Sequence, residues 1–486
     1  MTRPTSEDVT APVRPTGARR LVRRVPRSVR QHWKLLATLI VFAAVVGLVF
    51  GQVRLRPYIT GDVSVIASQI THDIPGTVDL FDPTVEHTLS IEIADAELRH
   101  MLTQFTADGD KKWVSADLTI DGTVIDDVAV RLKGNSTLMG LRPPPPGLEG
   151  FSIPPSFGPM GAVSADVPTS LPLLISFDEN ADGRGYQGRT ELTVRPGTSM
   201  LNEALALSLT AGTGQPTQRY AHVRYSINGD TTTKLVLEHP DDTYANTLYE
   251  SAGYLYKARA GSQFKYRGSD QSIYAGEFKQ INAVDSGNLQ PLIDFLKWLD
   301  TADAAEFDAS LPQWVDVESL ARYVATQNLL VNADDMSGPG QNYYLWYDLD
   351  TRKLSVVSWD LNLAMLMGDP TTGPHDPVEM VFPSGFPPPP GPPPGAAPGE
   401  VPPWLRGNTL KKRFLESRAF TDLYETAYWE LYGQMYADGR AVELLDELVA
   451  TVPLSAGLSE QALRDEAESL RSWVTERAAA LERIRS

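Results

Sequence analysis

Residues 332–362, NADDMSGPGQNYYLWYDLDTRKLSVVSWDLN, put polar metal-binding residue types at both ends of what reads as a hairpin. Asn342 to Tyr347 is aromatic and β-prone, Asp348-Leu349-Asp350-Thr351 is turn chemistry, and Leu354 to Trp359 is a second β run. Asp334, Asp335 and Asn342 lie at or before the start of the first strand, and Asp360 and Asn362 lie just past the end of the second. In an antiparallel pair those positions share one edge, so these side chains can converge. Carboxylates and amides without His or Cys suit Mg²⁺ or Mn²⁺ bridging phosphates rather than zinc, and phosphoryl transfer uses such a set. The competing reading is that Asp334 and Asp335 cap a turn and Asp360 caps a following helix. The hairpin alone leaves both open.

Three further runs carry charge into candidate elements. Arg131-Leu132-Lys133-Gly134-Asn135-Ser136-Thr137 ends a strand in a basic, glycine-containing turn, suited to hold phosphate oxygens through an ammonium and backbone N–H groups. Met200-Leu201-Asn202-Glu203 places an acid beside Leu207 on a helix face, where a partly buried glutamate needs a cation. Tyr254-Leu255-Tyr256-Lys257 ends a strand in a lysine that can serve a nucleotide or Glu203. The chain's 7 histidines are scattered without Ser-His or metal spacing, which disfavours a hydrolase.

The elements around these runs predict an α+β chain, β-rich from 85 to 258 and helix-rich from 259 to 486, with the hairpin 332–362 in the second part. Hairpins are expected at Asp121-Gly122 and Asn228-Gly229, and a helix from Ser199 to Thr210 capped by Ser199 or Thr198. Helical periodicity appears at Leu289 to Thr301 and Val317 to Leu330, and dominates from Leu410 to Ile484. Two proline-rich inserts, 143–159 and 383–403, form neither ladders nor helices and read as surface loops, each following a candidate motif.

The chain has 486 residues and no cysteine, so disulfides, thiolate metal sites and cysteine nucleophiles are excluded. Residues 1–34 hold nine basic residues against Glu7 and Asp8, and an apolar stretch of bilayer length follows at 35–53. The positive-inside rule puts the arm in the cytoplasm and the main domain outside, at the cell membrane, after a connector at 54–84. Gly47 to Arg54 offers no small-x-small cleavage site, which favours an uncleaved anchor. The arm carries +7 of a formal net −18, leaving about −25 on the rest, which argues against a nucleic-acid partner.

Taken in order, RLKGNST, SFDEN with YQGRTEL, MLNEALA, YSINGD leading to LVLEHP, GYLYK and GQNYYLWYDLDTRKLSVVSWDLN resemble the CotH-like family of atypical, secretory-type kinases, over about Val85 to Val449. The resemblance implies a two-lobed protein-kinase-like fold that binds ATP with Mg²⁺ or Mn²⁺ and phosphorylates Ser or Thr of protein substrates. It assigns Asp360 to the metal, Asn342 to a second metal position, and Asp335 or Asp334 to the attacking hydroxyl. Lys133 and Asn135 fall in the family's basic turn, Glu203 on its helix acid, Glu238 on its post-hairpin acid and Lys257 on its terminal lysine. Glu203 is expected to hold one of the two lysines. The family commonly reads WDLD where this chain has Trp359-Asp360-Leu361-Asn362, which removes one negative ligand and implies either weaker metal binding or Asn362 as a neutral ligand, and Leu171 to Phe177 lacks the usual basic residues. These departures motivate the alternative of a catalytically weak cell-surface or coat binding module.

Overall fold

The structure, a computed structural model, describes residues 70–142, 163–283, 288–381 and 407–486. The basic arm, the expected membrane helix at 35–53, the start of the connector and both proline-rich inserts lie outside them. Among the described residues no helix is long and apolar enough to cross a membrane.

The chain runs β1 (His72–Ile74), β2 (His87–Glu92), α1 (Asp95–Asp108), β3 (Val114–Ile120), β4 (Thr123–Leu132), β5 (Leu173–Ser176), β6 (Arg184–Tyr186) and β7 (Glu191–Val194). It continues through α2 (Leu201–Gly212), β8 (Tyr220–Ile227), β9 (Asp230–Glu238), α3 (Asp242–Leu248), β10 (Gly253–Ala258) and β11 (Phe278–Gln280). Then come α4 (Gln290–Thr301), α5 (Ala304–Trp314), α6 (Val317–Leu329), β12 (Tyr343–Asp348), β13 (Leu354–Ser358), α7 (Thr409–Glu416), α8 (Thr421–Met435), α9 (Arg440–Thr451) and α10 (Glu460–Arg485). The fold is α+β.

A closed barrel in the order β2-β3-β4-β5-β7-β9-β8 dominates the first part, closed by the parallel pair β2 and β8. Its two tight hairpins follow from turn chemistry. Asp121 and Gly122, at φ 47 and 81, and Asn228 and Gly229, at φ 51 and 89, all take the left-handed backbone that such turns demand. Val128, Val130 and Leu132 of β4 fill the barrel together with Leu192 and Val194 of β7. Period-two alternation therefore turns Arg131, Lys133, Glu191, Thr193 and Arg195 outward. That outward stripe is the barrel's contribution to the site.

A second sheet, β11-β10-β12-β13, contains the expected hairpin. β10, at the end of the β-rich half, pairs with β12 rather than with the barrel, so one row across this sheet reads Lys279, Lys257, Tyr344, Val357. The helices pack around it. Arg477 of α10, fully buried, donates from Nη2 to the Asn328 carbonyl at 2.9 Å and from Nε to the Leu329 carbonyl at 3.2 Å. A cation on the last carbonyls of α6 suits the helix dipole.

The strap from Leu80 to Glu86 is tied to the barrel through His87. Its Nδ1 lies 2.7 Å from Asp121 Oδ2 and its Nε2 3.0 Å from the Asp82 carbonyl oxygen. Both partners are acceptors, so both ring nitrogens must donate and the imidazole is cationic. Burial alone depresses its pKa, but the hydrogen bonds to Asp121 and Asp82 outweigh it and raise the value above the ordinary 6.5. A raised folded pKa adds stability that is complete below the unfolded pKa and disappears as pH rises through the folded one. Thermal melts of wild type and His87→Gln should therefore differ most near about pH 5.5 and converge toward about pH 9. A gap that widens with pH contradicts the imidazolium.

Candidate active site

The ladder pairs Tyr343 with Ser358, which brings Asn342 and Trp359-Asp360 to the same end of β12 and β13. Asp360 stands at the N-cap position of a short 3-10 turn, Leu361–Leu363, but its side chain makes no capping hydrogen bond. It sits in left-handed backbone (φ 56, ψ 59), uncommon for a residue with a Cβ, where its carboxylate meets the barrel. Its Oδ1 accepts from Arg195 Nη2, and the same nitrogen reaches Glu203 Oε1 while Arg195 Nε donates to Glu203 Oε2 at 2.6 Å. The cation on Glu203 is thus Arg195, not one of the expected lysines. Glu203 is 0% exposed, so its charge depends on that guanidinium. Burial disfavours the Arg195 charge, but the two carboxylates override it and hold the group firmly protonated. Burial also works against Asp360, and Arg195, then Lys133 and Lys257, hold its carboxyl below the ordinary range. From α2, Asn202 Nδ2 donates to the carbonyls of Asn362 at 2.7 Å and Ala364 at 3.0 Å, fixing the turn behind Asp360.

The two lysines converge on Trp359. Lys133 Nζ lies 4.9 Å and Lys257 Nζ 4.6 Å from its ring centroid, and among the described residues neither has a carboxylate within ion-pair distance. Lys133 Nζ donates to Thr193 Oγ1 at 2.5 Å and to His239 Nδ1 at 3.0 Å. Accepting there requires a neutral imidazole. Burial, followed by Lys133, Lys257, Lys279 and Arg131, keeps His239 well below its ordinary pKa. Burial lowers Lys257 to about 8 despite the pull of Asp360, with Lys279 adding to the drop. Lys257 also faces Lys279 directly across the β10–β11 ladder, where like charges repel. Burial, followed by Lys257 and Arg195, likewise holds Lys133 well below its ordinary pKa, so both ammonium groups are strained in their charged form, and a multiply charged anion beside them would favour it.

The acids after α6 separate into two roles. Asp335, 2% exposed, accepts from Ser337 N at 2.7 Å and forms an ion pair with Lys411 of α7. Asp334 accepts from Gly340 N at 2.6 Å and from Asn342 Nδ2 at 3.0 Å. Burial, reinforced by Asp360 and Asp335, pushes Asp334 up to about 7 against the Gly340 hydrogen bond. Gly340 is required here, because a Cβ would stand 2.6 Å from both Asn342 Nδ2 and Asp334 Oδ2. The Asn342 amide oxygen and the Asn362 side chain have no protein partner among the described residues. No group of three or more His, Cys, Asp or Glu there is arranged to hold a metal. Asp360, Asn342 and Asn362 offer one carboxylate and two amides, oxygen donors of the kind that hard cations take.

Two expected residues stand apart. Glu238 pairs with Arg189 at 3.0 Å and accepts from Arg219 N at 3.3 Å, which gives its carboxylate a structural partner. Asn135 is exposed and accepts from Lys111 Nζ at 3.4 Å. A cavity of about 520 Å³ lined by Phe81, Leu207 and Tyr220 contains none of the expected residues. Sequence reasoning missed Arg195, His239 and Lys411. For Arg195 a signal was present, an arginine ending the β-prone run Leu192 to Val194 just ahead of a buried helix acid.

The model of the CotH kinase protein family matches residues 196–481. The chain belongs to the CotH kinase family. The matched span holds Glu203, Glu238, Lys257, the acid loop and Asp360. It starts later and ends later than the expected Val85 to Val449, so the basic turn with Lys133 lies outside it, as does Arg195 by one residue. No curated protein matches the chain.

Arg195→Met leaves Glu203 as an uncompensated buried carboxylate and should cost about 3–5 kcal/mol in chemical denaturation. Adding Glu203→Gln should recover part of that loss. A single-variant loss under about 1 kcal/mol contradicts the burial of the pair.

Proposed function

We propose that this CotH kinase family member is a membrane-anchored, metal-dependent protein kinase that transfers the γ-phosphoryl group of ATP to Ser or Thr hydroxyls of proteins outside the cytoplasm. The observation that carries the reading is the arrangement of Asp360, tied through Arg195 to Glu203, beside two lysines without carboxylate partners among the described residues. The anchor rests on the basic arm and the apolar run at 35–53. A two-lobed kinase-like arrangement follows from the same reading, with the barrel's outward stripe facing the second sheet across the nucleotide.

The chemistry needs little from the protein beyond placement and charge. Asp360, Asn342 and Asn362 would hold Mg²⁺ or Mn²⁺, which when bound supplies positive charge to the β- and γ-phosphate oxygens. Lys133 and Lys257 neutralise the remaining phosphate charge, with His239 and Thr193 aiming the Lys133 ammonium. Asp334 accepts the proton of the attacking hydroxyl, because the Asp335 carboxylate is committed to Lys411. As the hydroxyl oxygen bonds to phosphorus, the bond from phosphorus to the bridging oxygen breaks and ADP leaves with the electron pair.

The alternative of a weakly catalytic binding module is favoured by one feature, the single carboxylate among the three metal candidates. Asn362→Asp adds the missing charge, and in a thermal-shift titration it should lower the Mn²⁺ concentration for half-maximal stabilisation by about tenfold. No effect of Mn²⁺ with nucleotide on either form supports the binding module.

The kinase reading is tested by incubating the protein with labelled ATP, Mn²⁺ and a serine-rich protein acceptor. Asp360→Ala should reduce transfer by about 100-fold or more. Equal labelling by the two forms contradicts the assignment.

A further inference from the structure

Helix α2 carries the two side chains that hold the metal-binding turn, yet it has no N-cap from its own loop. Ser199 and Thr198, the expected caps, do not serve. Met200 at the cap position takes left-handed backbone (φ 49), and no side chain of that position accepts from the first turn. The Leu201 N–H, an orphan donor, reaches Glu466 Oε1 on α10 at 2.9 Å, across 265 residues of sequence. The other oxygen of Glu466 accepts the Ser199 hydroxyl. Ser199 is 0% exposed, and its carbonyl accepts from His222 Nε2 at 2.6 Å. Burial brings the His222 pKa down to about 4, in keeping with a neutral ring that donates at Nε2.

A carboxylate at a helix N-terminus satisfies an unpaired N–H and complements the helix dipole. Here the last helix of the chain supplies it. The next two residues of α2 lead to the site: Asn202 holds the carbonyls of Asn362 and Ala364, and Glu203 holds Arg195, which holds Asp360. We infer that Glu466 is a positioning residue of the active site, a cap delivered by α10 that seats α2 and through it Asp360 and Asn362. This rests on the kinase reading for its effect on metal and rate. The structural coupling stands on the hydrogen bonds alone.

The test uses the full-length protein with Glu466→Ala and Glu466→Gln. The glutamine keeps an amide oxygen for the Leu201 N–H. In Glu466→Ala, amide hydrogen exchange at Leu201–Ala204 and at Leu361–Ala364 should accelerate together by about tenfold, and the Mn²⁺ concentration for half-maximal activity should rise about fivefold. Glu466→Gln should stay within about twofold of wild type on both. Faster exchange in α2 with Leu361–Ala364 unchanged overturns the inference. Acceleration shared equally by the barrel strands also overturns it, since that reports lost global stability. If the wild type transfers no phosphoryl group, the kinase reading fails while the exchange pattern still decides the coupling.

Discussion

Everything around the site depends on burying the Arg195 guanidinium between two carboxylates. Arg195 ends a barrel strand, Glu203 lies in the first turn of α2, and Asp360 follows the hairpin of the second sheet, so one side chain joins three separately formed elements. Desolvating the Arg195–Glu203 pair is costly, and it is tolerated only where the geometry is good and the charges are partnered. That requirement gives the site a single arrangement. If α2 moves, Glu203 leaves, and the guanidinium loses the partner that balances its contact with Asp360.

The same electrostatics explain why, among the described residues, two lysines remain without carboxylate partners in an acidic protein. Two described carboxylates near them already have other partners: Asp360 is bound to Arg195, and Glu191 lies 3.5 Å from His239. Burial, with Asp241 adding, raises Glu191 to about 7, so its compensation of the lysines is incomplete at neutral pH. Uncompensated cations beside the Trp359 ring are costly to fold around, and the proposed polyphosphate ligand would offset that cost. Fold and proposed function thus meet in one electrostatic deficit.

Much of this was legible in the sequence where local chemistry decides. Asp121-Gly122 and Asn228-Gly229 specify their turns through left-handed backbone, and the alternation in β4 separates Val130 and Leu132 from Arg131 and Lys133. The edge shared by Asn342 and Asp360 follows from strand, turn and strand. Non-local pairing was not legible. Nothing in periodicity indicates that β2 closes the barrel against β8 in parallel, or that β10 joins β12 across about ninety residues. α5, with Pro312 inside it, gave too weak a helical signal to stand out between its neighbours. Lys411 and Glu466 carry ordinary helix-surface residue types, and only the packing of α7 and α10 against the loop at Asp335 and the start of α2 gives them meaning.

The most direct measurement of the central claim is a crystal structure of the protein soaked with Mn²⁺ and a non-hydrolysable ATP analogue, with the metal located by anomalous scattering. The account predicts an anomalous peak ligated by Asp360 and an amide oxygen of Asn342 or Asn362. It also predicts phosphate oxygens within hydrogen-bond distance of Lys133 and Lys257, and Arg195 still joined to Glu203. Metal and phosphates bound elsewhere, with Asp360 and both lysines untouched, contradict it.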